Sequence, residues 1–161
     1  MADMRFKVWK VISLLIVCGL SILIASGNPV RTVSLVTDPS CGVASRHGLD
    51  RLKDSFRRKG FVVEEARSPE TATGAILVVS GFAWGNGPAV RFLQDAKTAL
   101  PAGPEALAVL RTTWKAKDLL VLCGADDTGL MYAALDTADR IGWSSGPGFG
   151  SMSGPRNCPT R

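Results

Sequence analysis

Chemically versatile side chains are scarce in this chain. Its 161 residues include one histidine, one tyrosine and four cysteines. His47 has no co-ligands nearby in sequence and no CxxC spacing exists, so the sequence supports neither a metal centre nor a redox motif. No serine stands in a nucleophile-elbow context. Internal repeats are missing too. The 19 basic residues outnumber the 14 acidic ones, for a formal charge of +5. The cations are dispersed apart from Arg57-Arg58-Lys59, and no stripe interleaves them with aromatics, which argues against a nucleic-acid partner.

Charge is absent altogether from Val11–Ala25, and that absence is informative. Arg5, Lys7 and Lys10 precede the apolar run, and Ala25-Ser26-Gly27 follows it with small residues. A basic start, an apolar core and a small-residue end describe an export signal. A spanning helix needs about 20 apolar residues, so the run is short for a permanent anchor. Residues 1–27 are therefore expected to be a cleaved signal, with an uncleaved anchor at residues 11–25 as the alternative. Cleavage would remove three cations and one anion, a net loss of two, and lower the charge from +5 to +3. It would also remove Cys18 and leave Cys41, Cys123 and Cys158. In an oxidising compartment one bridge, such as Cys41–Cys158, is open to them; Cys123 is better read as a buried strand residue.

The rest alternates strands and helices. Arg31–Thr37 places Val33 and Leu35 at period two and reads as a first strand. Asp38-Pro39-Ser40-Cys41-Gly42 ends it, and Ser45 is placed to cap a helix from Arg46 to Lys59 with Leu49, Leu52 and Phe56 inward. Phe61–Ala66 is a short edge strand interrupted by Glu64 and Glu65. Ala75–Ser80 is apolar on both faces, the pattern of an interior strand. The glycines of Gly81–Gly87 match neither the dinucleotide fingerprint nor the P-loop, and no Lys-Ser/Thr follows. Phe82 and Trp84 are also bulky where such loops need bare backbone. No nucleotide cofactor is implied, and the loop leads into a helix over Pro88–Leu100 capped by Asn86 or Gly87, burying Ala89, Leu93, Ala96 and Leu100. Glu105–Trp114 is a strand, and the tight turn Lys115–Asp118 is too short for a parallel crossover, so it pairs antiparallel with Leu119–Cys123.

The most regular stretch is Asp118–Trp143. An apolar strand passes through Gly124 into Asp126-Asp127-Thr128, then into a helix with Leu130, Ala134, Ala138 and Ile141 on one stripe. Asp127 or Thr128 is the expected cap. Residues 144–161 are rich in Gly, Ser and Pro without periodicity and read as a linker or disordered tail. The whole predicts an α+β domain over residues 28–143, a single mixed sheet of about five strands with two to three helices packed on it.

These residues carry a resemblance. LPAGPEALAVL at Leu100–Leu110, followed by LLVLCGADDTGLMYAALDTADRI, resembles the accessory domain that precedes the catalytic barrel in alpha-glucuronidases and beta-N-acetylhexosaminidases. In that domain a Pro-Glu strand start, here Pro104-Glu105-Ala106, pairs with a strand ending Gly-Ala-Asp. A Gly-Leu-X-Tyr helix start follows, here Gly129-Leu130-Met131-Tyr132. The resemblance runs from about Arg31 to Trp143. It implies an exported, periplasmic or extracellular protein concerned with polysaccharide or glycoconjugate, whose partner is a catalytic glycosidase domain or the polysaccharide itself. The chemistry of those enzymes sits in a (β/α)8 barrel of about 250 residues, and none of its catalytic residues has a counterpart here.

Five residues stand out as candidate interface or sugar contacts: Trp84, Asp126, Asp127, Tyr132 and Trp143. The adjacent carboxylates invite an acid/base reading, but at a helix start capping is the favoured one. Tyr132 lies one position off the apolar stripe, and packing with its hydroxyl satisfied is preferred to contact with a partner domain. Trp84, Trp114 and Trp143 occupy element ends, where aromatics either finish a core or stack on sugars. His47 is expected to face solvent. No catalytic, cofactor-binding or metal-ligating residue is assigned. A non-catalytic accessory domain is thus the leading expectation, a free-standing carbohydrate-binding or adhesion module the second, and a small hydrolase using Asp126 or Asp127 the third and least supported.

Overall fold

Leu119–Cys123 offers apolar side chains to both sides, so it is stable only between two covered faces. The computed structural model describes residues 31–143 and places this run in the middle of the molecule. The export-signal segment, the tail from residue 144 and Cys158 lie outside the described residues. Five strands, β1 (Thr32–Thr37), β2 (Val62–Glu65), β3 (Ile76–Phe82), β4 (Leu107–Trp114) and β5 (Lys117–Gly124), form one sheet in the order β2-β1-β3-β5-β4. The first four in that order are mutually parallel, and only β4 runs against its neighbour. Three helices, α1 (Val43–Arg58), α2 (Pro88–Asp95) and α3 (Asp127–Trp143), complete the α+β architecture expected from the sequence.

The helices divide between the two faces. Leu49, Leu52 and Phe56 of α1 and Leu130, Ala134, Ala138 and Ile141 of α3 pack on Val33, Leu35, Val78, Leu120 and Leu122. On the opposite face Ala89 and Leu93 of α2 meet Leu77, Val79, Leu119, Val121 and Cys123. The period-two alternation of β5 therefore feeds both cores, and every residue of β3 is buried. Each fully buried Leu or Val in these strands contributes about 1.5–3 kcal/mol of transfer free energy, which explains why the order of the central strands follows apolar content. The edges are the mixed strands, β2 with Glu64 and Glu65 and β4 with its half-exposed pattern.

Several boundaries differ from expectation, each for a local reason. Helix α1 starts at Val43, behind Gly42, and no side chain of its own segment caps it. Ser45 is buried and does not act as the N-cap. Helix α2 stops at Asp95 because Lys97 takes a left-handed backbone conformation (φ 54°), which leaves Ala96 exposed instead of buried. The β4–β5 connection is tighter than Lys115–Asp118. Lys115 and Ala116 alone turn the chain, both with positive φ (47° and 63°), the geometry whose twist matches a two-residue hairpin. Strand β4 begins at Leu107, because Glu105 is itself left-handed (φ 58°).

The α1–α3 contact depends on Gly48. A Cβ there would lie 2.8 Å from the carbonyl oxygen of Met131 and 3.0 Å from its Cα, backbone atoms that cannot move aside without shifting the helix. Alanine at position 48 gains about 1 kcal/mol of helix propensity but overpacks the interface at about 1–3 kcal/mol. We expect Gly48→Ala to lower the urea midpoint. Gly142→Ala, with open space around its Cβ, should leave the midpoint unchanged or raise it.

Candidate functional site

Strands β1, β3 and β5 end at the same rim of the sheet, and the five singled-out residues are best located from there. Gly124 closes β5. A Cβ on it would lie 2.3 Å from the Leu130 nitrogen, so only glycine lets the chain double back this sharply into α3. The turn projects two carboxylates in different directions.

Asp126 caps its own helix. Its Oδ1 accepts from Gly129 N–H at 2.8 Å, and its Oδ2 accepts from Glu105 N–H at 2.8 Å, tying the start of α3 to the approach of β4. Neither Asp127 nor Thr128 is the N-cap of α3. Asp127 instead reaches across to α1. Its Oδ1 accepts from Gly42 N–H at 2.9 Å, from the Ser45 hydroxyl at 2.5 Å and from Ser45 N–H at 3.3 Å. Its Oδ2 accepts from Ala44 N–H at 2.9 Å. The backbone donors that α1 leaves unpaired at its start are thus satisfied by a residue more than 80 positions later, at the positive end of the helix dipole. The Ser45 hydroxyl, followed by the backbone donors, lowers the Asp127 pKa from its ordinary value. The N–H groups of Glu105 and Gly129 do the same for Asp126. Carboxylates held ionised by fixed donors are poorly suited to general-acid work near neutrality.

The aromatics behave differently from each other. Trp84 is 66% exposed, with one indole face laid on the buried Phe82 ring at a centroid distance of 5.2 Å and an interplanar angle of 9°. Tyr132 is 43% exposed, so it projects from α3 and does not pack inside as the sequence favoured. It stands one turn after Gly129, whose backbone approaches the Ala106 carbonyl. Trp114 is half-buried edge-to-face with Phe92, and Lys115 lies over its ring. Trp143 closes α3, and its side chain lies outside the described residues. His47 is exposed on α1. Burial raises the thiol pKa of both Cys41 and Cys123, the latter to about 11, which makes both poor nucleophiles.

Two carboxylates escaped the sequence reading. Glu64 on the edge strand accepts from the buried Ser34 hydroxyl and from the backbone and hydroxyl of Thr73 at 3.0 and 2.8 Å. The Ser34 bond, then the Thr73 bonds, hold its pKa at about 2. This network fastens the β2–β3 connection to β1 and lies at the opposite rim from the strand ends. Asp38 follows β1 directly. Its place at the head of the 38–42 turn that closes β1 was the available signal, since β1 and β3 are neighbours whose helices leave to opposite faces. In open α/β sheets that point is a crevice.

No family model matches the chain, and no curated protein does. Among solved structures the chain is similar to CpGH84D, a glycoside hydrolase family 84 enzyme, with a TM-score of 0.54 at 12% sequence identity. The likeness covers 72% of this chain and 18% of the enzyme, so the chain spans less than a fifth of the protein it matches. At this identity the match is one of fold. Among the described residues no group of three or more His, Cys, Asp or Glu could hold a metal ion, and no helix is long and apolar enough to cross a membrane.

Removing the cross-helix cap by Asp127→Ala should cost about 1–2 kcal/mol in urea unfolding. Glu64 gives a pH test. Its folded pKa lies below the unfolded value near 4.5, so its stabilisation is complete above that value and fades as pH falls towards about 2. Glu64→Gln should flatten this part of the acid-unfolding curve and leave the neutral limb parallel to that of the parent.

Proposed function

We propose that this chain is a non-catalytic accessory domain associated with a polysaccharide-degrading enzyme, exported together with it. The observation that carries the proposal is the commitment of Asp126 and Asp127 to caps, on a fold that a glycoside hydrolase contains as a small part of its length. The carboxylates that best resembled an acid/base pair have their oxygens occupied by backbone donors. What the rim offers a partner is shape and apolar surface. Tyr132 on α3 and the 41% exposed Leu107 at the start of β4 are exposed apolar groups, and we assign them to contact with the catalytic domain.

The alternative is a free-standing exported module that binds carbohydrate or mediates adhesion. Trp84 is the observation in its favour, because a large aromatic held open on a buried ring suits recognition more than folding.

Incubating the purified chain with chromogenic aryl glycosides, including glucuronides and N-acetylglucosaminides, tests the non-catalytic reading. We expect no turnover. Turnover that disappears in the Asp126→Asn/Asp127→Asn double variant would overturn the proposal and restore the hydrolase.

A further inference from the structure

The rim where β1 and β3 end holds a second, independent arrangement. Backbone pairing ties the end of β1 to β3, with Asp38 N–H donating to Ser80 O at 3.2 Å, and the end of β3 to β5, with Ala83 N–H donating to Gly124 O at 2.9 Å. A tight turn, closed by Gly85 N–H on Phe82 O at 3.2 Å, lifts Trp84 out at the rim. Its lower face is fixed on Phe82, and its upper face meets solvent.

Asp38 stands beside the glycine-rich loop that carries this ring. Ser40 N–H donates to its Oδ1 at 2.8 Å, which orients the carboxylate. The other oxygen, Oδ2, has no hydrogen-bond donor among the described residues. It lies over the glycine-rich loop, where a Cβ at Gly87, Gly81 or Gly85 would come within 3.4, 3.5 or 4.0 Å of it. Asn86, exposed in the same loop, adds an amide donor and acceptor. The three glycines let the loop backbone lie close against the carboxylate, which fixes Asp38 to the loop that carries Trp84 and Asn86.

We infer that Trp84, Asp38 and Asn86 form a saccharide subsite, with a pyranose ring stacked on the indole and its hydroxyls shared between the carboxylate and the amide. A pyranose has an apolar face of axial C–H groups and a rim of hydroxyls, and the site offers one aromatic plane with polar groups at its edge. Preorganisation is built in, because Phe82 holds the ring and Ser40 the carboxylate before any ligand arrives. The inference rests on the carbohydrate association proposed above, but not on whether the chain acts as an accessory domain or alone. An aromatic ring beside a carboxylate also suits an organic cation, and the test separates the two.

The experiment is an NMR titration of the full chain with xylotetraose, N-acetylated chitotetraose and its deacetylated, cationic counterpart. We expect saturable shifts of the Trp84 indole N–H and the Gly85 and Gly87 amides with at least one neutral oligosaccharide, at millimolar affinity. Trp84→Ala should abolish saturation. Asp38→Asn, which keeps an acceptor for Ser40 N–H, should weaken binding about tenfold, the effect of losing a charged hydrogen-bond partner. Unchanged thermal unfolding in both variants would exclude misfolding as the cause. Absence of saturable shifts with every neutral oligosaccharide would overturn the inference, as would binding of the cationic oligomer alone. Either result would leave the accessory reading intact if the aryl glycosides remain uncleaved. Aryl glycoside turnover would overturn that reading and leave the subsite standing if the titration saturates.

Discussion

The carboxylate of Asp127 is the interaction on which the arrangement of this domain depends. It belongs to the first turn of α3, yet it satisfies the start of α1. Two helices following different strands are thereby tied together at their N-termini. Gly48 completes the contact further along by letting the α1 backbone approach Met131. Without the cap, Gly42, Ala44 and Ser45 would lose their acceptor, at the cost of about 1–2 kcal/mol expected for a helix cap. The close approach and the cap depend on each other, since each requires the registry that the other fixes.

This coupling explains why the strand-turn-helix from Lys117 to Trp143 looks like a site and is built as a joint. Paired carboxylates at a glycine-lined strand end are common to catalytic centres and to helix starts. The difference lies in where the oxygens point. Here they face backbone N–H groups on both sides of the turn, and the same bonds that stabilise the fold lower the pKa of both acids. Groups facing outward at the same rim are of another kind. Tyr132, Leu107, Trp84 and the 86% exposed Val43 are exposed apolar groups, with Asp38 as the carboxylate that retains an unshared oxygen among the described residues.

Much of the sheet was legible because its signals are local. The run Ala75–Ser80 announced an interior strand, the Glu64-Glu65 interruption announced an edge, and a connection too short for a crossover announced the antiparallel pair. The parallel order of the other strands is a consequence of helices too distant in sequence for such signals. Caps were misread for the same reason. Ser45 has the right residue type at the right place, but a carboxylate 82 positions away reaches the donors first, and that competition has no trace in local sequence. Tyr132 was assigned to packing because its offset from the stripe is a single residue, while the 100° step of a helix is enough to turn it from core to surface. Asp38 was passed over as a turn residue, since its meaning comes from the divergence of α1 and α2 to opposite faces.

Titration of the side-chain carboxyl carbons by NMR addresses the central claim most directly, because it reports what each aspartate does in the folded state. If Asp126 and Asp127 are caps, both resonances titrate below the ordinary aspartate value, and Ser45→Ala moves Asp127 upward while leaving Asp126 in place. An Asp127 resonance that titrates at or above the ordinary value, indifferent to Ser45, would contradict the account and return the pair to the list of chemical groups.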